Sequence, residues 1–302
     1  MFVYLVLHAL SALADGKSKF LGNIIADSVP SNWDEYWNQA TAENGCKWGS
    51  VENSQGNYNW ASCDVTANHC KSAGIPFKYH NFVWGSQEPG FISGLGQADQ
   101  RSALENYIKA AATHYRSPAL IDVVNEALHA PSSIRAALGG DGSSGWDWIV
   151  SSFQLARSAF PSSKLLINEY GIINDASELS KYVQIIKILK DKNLIDGIGF
   201  QSHQFNVNDL SAATITTNLN TLAATGLDIY PSELDINGNS EADQASIYQR
   251  VFPPLWEHPS VKGITLWGYI TGKTWKDGTG IVEADGRERQ AMTWLKAYIQ
   301  SH

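Results

Sequence analysis

The 302-residue chain is expected to fold as a single (β/α)8 barrel. Short runs rich in Val, Ile and aromatics alternate eight times with helical patterns. The runs are apolar throughout, as parallel strands buried on both faces require. The phosphate fingerprints of the competing doubly wound sheet are missing. No G-x-G-x-x-G follows the first run and no G-x-x-x-x-G-K-[ST] occurs anywhere.

The strands are expected at residues 20–25, 45–48, 75–82, 119–125, 164–169, 197–202, 227–233 and 263–268. Helical patterns fill the gaps. The first covers residues 33–42. The second covers 61–72 and is closed by Gly74, and the third covers 98–115. The fourth, 146–159, stops before Pro161. The fifth, 175–192, has a polar entry at Ser177 and Ser180 and an apolar stripe of Leu179, Val183, Ile186 and Leu189. The sixth, 211–224, ends at Gly226, and 240–256 and 287–299 complete the set. No repeat, linker or appended module interrupts them, so residues 15–302 form one domain.

Residues 1–14 resemble a short secretory leader. An apolar stretch ends in Ala12-Leu13-Ala14 before Asp15, although the usual positive start is missing. A secreted, extracellular protein is therefore expected. The segment is too short to span a membrane. The net charge of −8, with no basic runs, lacks the footprint of a nucleic-acid binder and disfavours polyanions. A neutral polymer is not repelled. The 11 tryptophans and 12 tyrosines exceed ordinary usage. Most serve core packing, and the remainder suit sugar-stacking platforms. Cys46, Cys63 and Cys70 allow at most one disulfide. Cys63 and Cys70 on one helix lie about 10 Å apart along it, too far to bridge, whereas Cys46 can pair with either. No cysteine–histidine spacing suggests zinc, so neither metal nor cofactor is expected.

Two strand-like runs end in glutamate: Glu126 closes the fourth and Glu233 the seventh. In a barrel those ends share one mouth, and a carboxylate pair there is the apparatus of glycoside hydrolysis. Asn125 precedes Glu126 and can donate to a sugar hydroxyl. Asp235, two residues after Glu233, faces the same side of the strand. His203 ends the sixth run, next to the seventh, where it can orient Glu233 and set its charge.

Seven motifs in order make the chain resemble the glycoside hydrolase family 10 endo-β-1,4-xylanases, which are retaining (β/α)8 enzymes. They are Glu43-Asn44-x-x-Lys47-Trp48, His80-Asn81-x-x-Trp84, Ser86-Gln87-x-Pro89, Asp122-Val123-Val124-Asn125-Glu126-Ala127, Gln201-Ser202-His203, Glu233-Leu234-Asp235-Ile236 and Ile264-Thr265-Leu266-Trp267-Gly268. The resemblance implies Glu126 as general acid/base and Glu233 as nucleophile, with His203 and Asp235 supporting Glu233. It implies that Glu43, Asn44 and Lys47 bind the glycone sugar and that Asn125 holds its 2-hydroxyl. His80, Trp84 and Gln87 would line the subsite at the cleaved bond, and Gln201 would also bind substrate. Tyr170 would stack an aglycone sugar. Trp267 and Trp275 would roof the glycone sugar and exclude the hydroxymethyl group of glucose. The partners implied are xylan and xylo-oligosaccharides, with no nucleic acid or membrane, and the chain is read as a monomer.

The pattern departs from the family at several points. Gly85 stands where the family often carries a histidine, which removes a donor near the aglycone side. Cys46 and Gly49 replace more usual residues, and the family's cysteine pair near the eighth strand is absent. A long glycine-rich stretch, 129–145, follows Glu126 and reads equally as a lid or aglycone wall and as a surface excursion. Within it, His129 reads as a solvated loop residue. The alternatives are a β-glucan hydrolase, a non-catalytic polysaccharide-binding barrel and a metal-dependent hydrolase. The intact pair of glutamates with His203 and Asp235 argues against the second.

Overall fold

A computed structural model describes residues 12–302 of the chain. Eight strands run in parallel: β1 (Phe20–Ile25), β2 (Ala40–Ala42), β3 (Phe77–Val83), β4 (Leu120–Asn125), β5 (Lys164–Asn168), β6 (Gly197–Phe200), β7 (Asp228–Pro231) and β8 (Gly263–Leu266). Their order is β7-β6-β5-β4-β3-β2-β1-β8. Isolated parallel bridges, Ile229 with Val261 and Leu234 with Leu266, join β7 to β8 and bring the sheet round into a barrel. Between the strands lie α1 (Trp48–Val51), α2 (Ala61–Ala73), α3 (Gln97–Tyr115), α4 (Asp147–Ala159), α5 (Ala176–Asp191), α6 (Gln204–Val207), α7 (Ala212–Ala223) and α8 (Glu241–Glu257), and α9 (Gln290–Ser301) follows β8.

The expected alternation holds, and several helix starts are set by caps. Asp175 accepts from the Ser177 and Glu178 amides at the start of α5, a role the polar entry at Ser177 and Ser180 does not anticipate. Ser211 and Ser240 cap α7 and α8 in the same way. The second strand corrects the sequence reading. It is residues 40–42, not 45–48, and the helix expected over 33–42 is a 3-10 turn at Trp33–Glu35 followed by β2. Ala40 and Ala42 favour a helix by propensity, and only Thr41 favours a strand. They are nevertheless buried between β1 and β3, where their small side chains suit a crowded interior. Residues 45–48 instead form a turn into α1, tied to α2 by the Cys46–Cys63 disulfide. Cys70 is a buried free thiol.

Of the leader-like segment, residues 1–11 lie outside the described residues. Ala12 and Ala14 are buried, and the Leu13 amide donates to the Tyr36 carbonyl.

The stretch after Glu126 is docked rather than loose. Ile134 and Leu138 are fully buried in the core. The Glu88 carboxylate accepts from the Ser132 hydroxyl and the Ser133 amide. Asp147 accepts from the Ser143 and Ser144 amides.

Candidate active site

Every residue expected from the motifs to touch substrate or carry the chemistry, together with His203, lines one cleft of about 400 Å³ at the C-terminal mouth of the barrel. Asp235 lies just behind it, buried beneath His203.

Glu126 follows β4 in a left-handed conformation, φ 53°. Such a backbone is costly for a residue with a side chain and is found where the fold must aim one. The turn is held by the Glu126 amide donating to the Asn168 carbonyl, while the Glu126 carbonyl accepts from the His129 and Ala130 amides. Both carboxylate oxygens of Glu126 are then claimed. The Trp84 indole donates to Oε2 at 2.8 Å and the Gln201 amide to Oε1 at 2.9 Å. Trp84 and Gln201 are expected from the motifs to meet sugar. Each also positions this carboxylate.

Glu233 lies two residues beyond β7 and is 5% exposed. Asn168 Nδ2 donates to its Oε1 at 2.8 Å, and His203 Nε2 lies 3.0 Å from Oε2. The other nitrogen of His203 lies 2.9 Å from Asp235 Oδ2. Asp235 is itself held by the Gln204 amide and the Trp275 indole. Burial alone would raise the Glu233 pKa. The His203 hydrogen bond and charge, with His80 and Lys78 further off, outweigh it and bring it to about 2. Burial likewise disfavours charged His203, but hydrogen bonds and charge from Asp235 and Glu233 carry it up to about 9. Glu233 is therefore an anion beside an imidazolium. Beneath them His80 and Lys78 both contact Asp122, a buried ionic cluster under the cleft floor.

Asn125 joins the two carboxylates. Its carbonyl oxygen accepts from Asn168 at 2.9 Å and from Gln201 at 3.4 Å. The first donor also holds Glu233 and the second Glu126. With its oxygen occupied, Asn125 offers its NH2 group to the cleft. Asn168 is a residue the sequence reading missed. It ends β5 without any catalytic motif, and only its hydrogen bonds to Asn125 at the end of β4 and to Glu233 after β7 reveal its role.

One end of the cleft carries Glu43, Asn44 and Lys47, on the segment that leaves β2. The Lys47 ammonium donates to Asn44 Oδ1 at 2.9 Å and sits 4.8 Å from the Trp84 ring centre. Gln87 reaches the same Asn44 oxygen at 3.4 Å. Burial lowers the Lys47 pKa, opposed by the Glu233, Glu43 and Glu126 carboxylates. Trp267 is buried against His80 and His203, whereas Trp275 stands 44% exposed at the rim.

The other end carries Tyr170. His129 stacks on it with ring centres 3.8 Å apart. His129 is not the solvated loop residue expected. Its two nitrogens lie 2.9 Å from Glu169 and 2.8 Å from Glu178, so the end of β5 and the start of α5 clamp it. Phe205, on α6, also lines the cleft, packs against His203 and Tyr170, and is 51% exposed. The sequence reading missed it as well. An aromatic two residues after the sixth strand's His203 was the available signal.

Gly85 has a structural reason. A Cβ there would lie 2.3 Å from the Pro131 carbonyl oxygen and 2.6 Å from that of Ala130, and the Gly85 amide donates to Ala130. The backbone after Glu126 occupies the space a side chain at position 85 would need. Gly49 is similarly closed off. A Cβ there would lie 2.4 Å from the Gln87 carbonyl oxygen, to which the Gly49 amide donates.

The profile of glycosyl hydrolase family 10 matches residues 11–298. Endo-1,4-beta-xylanase B of Cellvibrio japonicus is 38% identical over 281 residues, covering 92% of this chain and 45% of that protein. Endo-1,4-beta-xylanase A of Phanerodontia chrysosporium is 31% identical over 251 residues, covering 80% of this chain and 61% of that protein. The chain thus spans about half to three-fifths of the length of these relatives. The crystal structure of xylanase 10B from Thermotoga maritima superposes with a TM-score of 0.85 at 23% identity, over 97% of this chain and 98% of that one, and so shares the barrel fold. On the family match and these identities together, the chain belongs to glycosyl hydrolase family 10.

Proposed function

We propose that the protein is an endo-β-1,4-xylanase that hydrolyses xylan with retention of configuration. The observation that carries this reading is the contrast between the two cleft carboxylates. Glu233 is held as an anion at about 2 by His203. Glu126, on the facing strand end, is gripped by Trp84 and Gln201 in a strained turn open to the cleft. Double displacement needs one carboxylate that attacks and one that manages a proton.

In the first step Glu126 protonates the oxygen between two sugars as a Glu233 oxygen attacks the anomeric carbon. The bond to the leaving oxygen breaks, the aglycone departs as an alcohol and a glycosyl ester forms on Glu233. Esterification removes the negative charge on Glu233. A water then attacks the anomeric carbon, gives its proton to Glu126 and frees Glu233. The Asn125 NH2 group donates to the glycone 2-hydroxyl, a contact that tightens as positive charge grows on the ring. Glu43, Asn44 and Lys47 bind the glycone side and Tyr170 stacks the aglycone side. Trp267 and Trp275 crowd the glycone sugar, which favours xylose because it lacks the hydroxymethyl arm of glucose. The protein acts as a secreted monomer, and the Cys46–Cys63 disulfide suits an oxidising compartment.

The test is reducing-sugar release from xylan and from carboxymethyl-cellulose, with Glu233→Ala and Glu126→Ala in parallel. Xylan cleavage by the wild type, lost by about 10⁴-fold or more in Glu233→Ala, is expected. An undiminished Glu233→Ala variant, or no release from xylan, overturns the reading.

A further inference from the structure

Among the described strands β2 is the shortest, with three residues, and it meets β3 only where Ala40 pairs with Phe77 and Thr41 with Lys78. The turn that leaves it nevertheless supplies Glu43, Asn44 and Lys47 to the cleft. So short a strand gives the turn little support. The support comes from the helices outside the barrel wall, and it is applied at Cys46.

Cys46 is fully buried and bonded to Cys63, in the first turn of α2. That helix has 13 residues, buries Cys63, Thr66 and Cys70, and packs against β2 and β3. The Cys46 carbonyl also accepts from the Tyr107 hydroxyl of α3 at 2.7 Å, and Tyr107 meets the Tyr79 hydroxyl of β3 at 2.7 Å. Next to Cys46, Gly45 lies directly on α2. A Cβ at Gly45 would stand 2.6 Å from the Ser62 carbonyl carbon.

The neighbouring residue shows what this anchoring holds. Cys46 turns away to α2, whereas Lys47 lines the cleft. Lys47 is 6% exposed, with its ammonium on Asn44 Oδ1 and beside the Trp84 ring. Burial opposes its charge, and the Glu233, Glu43 and Glu126 carboxylates favour it. A lysine head is strongly hydrated and its four-carbon stem is flexible. With a loose backbone the ammonium could swing back to water, so its place in the cleft depends on a fixed turn. This inference rests on the xylanase reading above, in which Glu43, Asn44 and Lys47 bind the glycone sugar. We propose that the Cys46–Cys63 disulfide positions this turn for that sugar, so that its loss weakens sugar binding and leaves the chemical step intact. The two cysteines touch no substrate and act through the turn.

The experiment measures kcat and KM for an aryl β-xylobioside, well below the melting temperature. It compares the wild type with the double variant Cys46→Ala/Cys63→Ala and with Gly45→Ala. Loss of the bridge should lower Tm, as for any disulfide. It should also raise KM by about threefold to tenfold, with kcat within about twofold of the wild type. Gly45→Ala keeps the bond and forces the turn away from α2. It should raise KM in the same way, and it decides the matter if the bridge variant does not fold. In a Lys47→Ala background, loss of the bridge should raise KM by less than it does alone, because one of the side chains it positions is already gone.

An unchanged KM in either variant, whatever happens to Tm, overturns the positioning role and leaves the xylanase reading intact. Full additivity with Lys47→Ala does the same. A fall in kcat at constant KM also overturns it, because the turn would then act on the reacting groups. No hydrolysis of the xylobioside by the wild type overturns the xylanase reading, and the positioning role with it.

Discussion

Two histidines in this cleft are each clamped between two carboxylates, and the outcomes are opposite. At the end of the cleft proposed to hold the glycone sugar, His203 bridges Glu233 and Asp235, and Glu233 falls to about 2. At the end proposed to hold the aglycone sugar, His129 bridges Glu169 and Glu178, and Glu169 rises to about 7. Both glutamates are buried, and burial is the largest influence on each. The difference lies in what surrounds them. His203 is buried and carried up to about 9, and Glu233 also feels His80 and Lys78. His129 is partly exposed and opposes burial at Glu169 with help from only the Leu128 and Tyr170 amides. A histidine–carboxylate contact alone therefore does not make an ionised carboxylate. At Glu233 the buried His203, itself carried up to about 9, has the larger lowering influence, and His80 and Lys78 add to it.

The sharpest way to break the comparison is His203→Gln. The variant keeps a polar contact to Glu233 and removes the charge, which leaves burial to dominate. The acid limb of kcat/KM should move up from the vicinity of pH 2 towards and beyond the ordinary carboxylate range, with kcat lowered by about 10²-fold. An acid limb that stays in place would mean that His80 and Lys78 suffice to hold the charge.

The Glu233 half of this contrast is legible in the sequence, the Glu169 half hardly at all. Glu126, Glu233, His203 and Asp235 stand at the ends of apolar runs, where barrel topology alone brings them to one mouth. The second strand lies five residues before its expected position because only Thr41 of Ala40-Thr41-Ala42 favours a strand by itself. Only its neighbours β1 and β3 make it a strand. Asn168 and Glu169 are invisible as site residues for a related reason. Their roles depend on which side chains of β4, β7 and α5 reach them, and no local pattern encodes that. The same holds for Gly85, where the sequence shows a missing donor and the structure shows backbone in its place.

Glu169 binds its proton more tightly folded, at about 7, than unfolded, at 4.5. The native state thus holds more protons across that window, so rising pH from about 4.5 to 7 destabilises the fold. His129 is raised above 6.5, so its contribution is fully present below 6.5 and is lost as pH climbs through its folded value, in the same direction. The Glu233 network behaves differently. Glu233 contributes above 4.5 and loses its contribution as pH falls towards 2, while His203 contributes fully below 6.5 and loses its contribution as pH rises towards 9. Between 4.5 and 6.5 the Glu233 network is level and the Glu169 network slopes. Thermal melts of Glu169→Gln against wild type should show the wild type losing roughly several degrees more of Tm from pH 4.5 to 7. Parallel curves would mean that Glu169 is ionised in the fold, as Glu233 is.

The smallest effect tests what the aglycone network is for. The Glu169 carboxylate accepts from the Tyr170 amide, and the histidine it shares with Glu178 lies face to face with the Tyr170 ring. Tyr170 is the platform assigned to an aglycone sugar, so the network holds a binding surface and no reacting atom. His129→Ala should therefore raise KM for long xylo-oligosaccharides by about threefold, the loss of one ring contact, with kcat unchanged. Tyr170→Ala should raise it further, and the double variant should add little, because the histidine acts through the tyrosine. Aryl glycosides whose leaving group ends before Tyr170 should not distinguish wild type from His129→Ala. A drop in kcat in His129→Ala would contradict this division, since it would make the aglycone histidine act on the reacting atoms as His203 does.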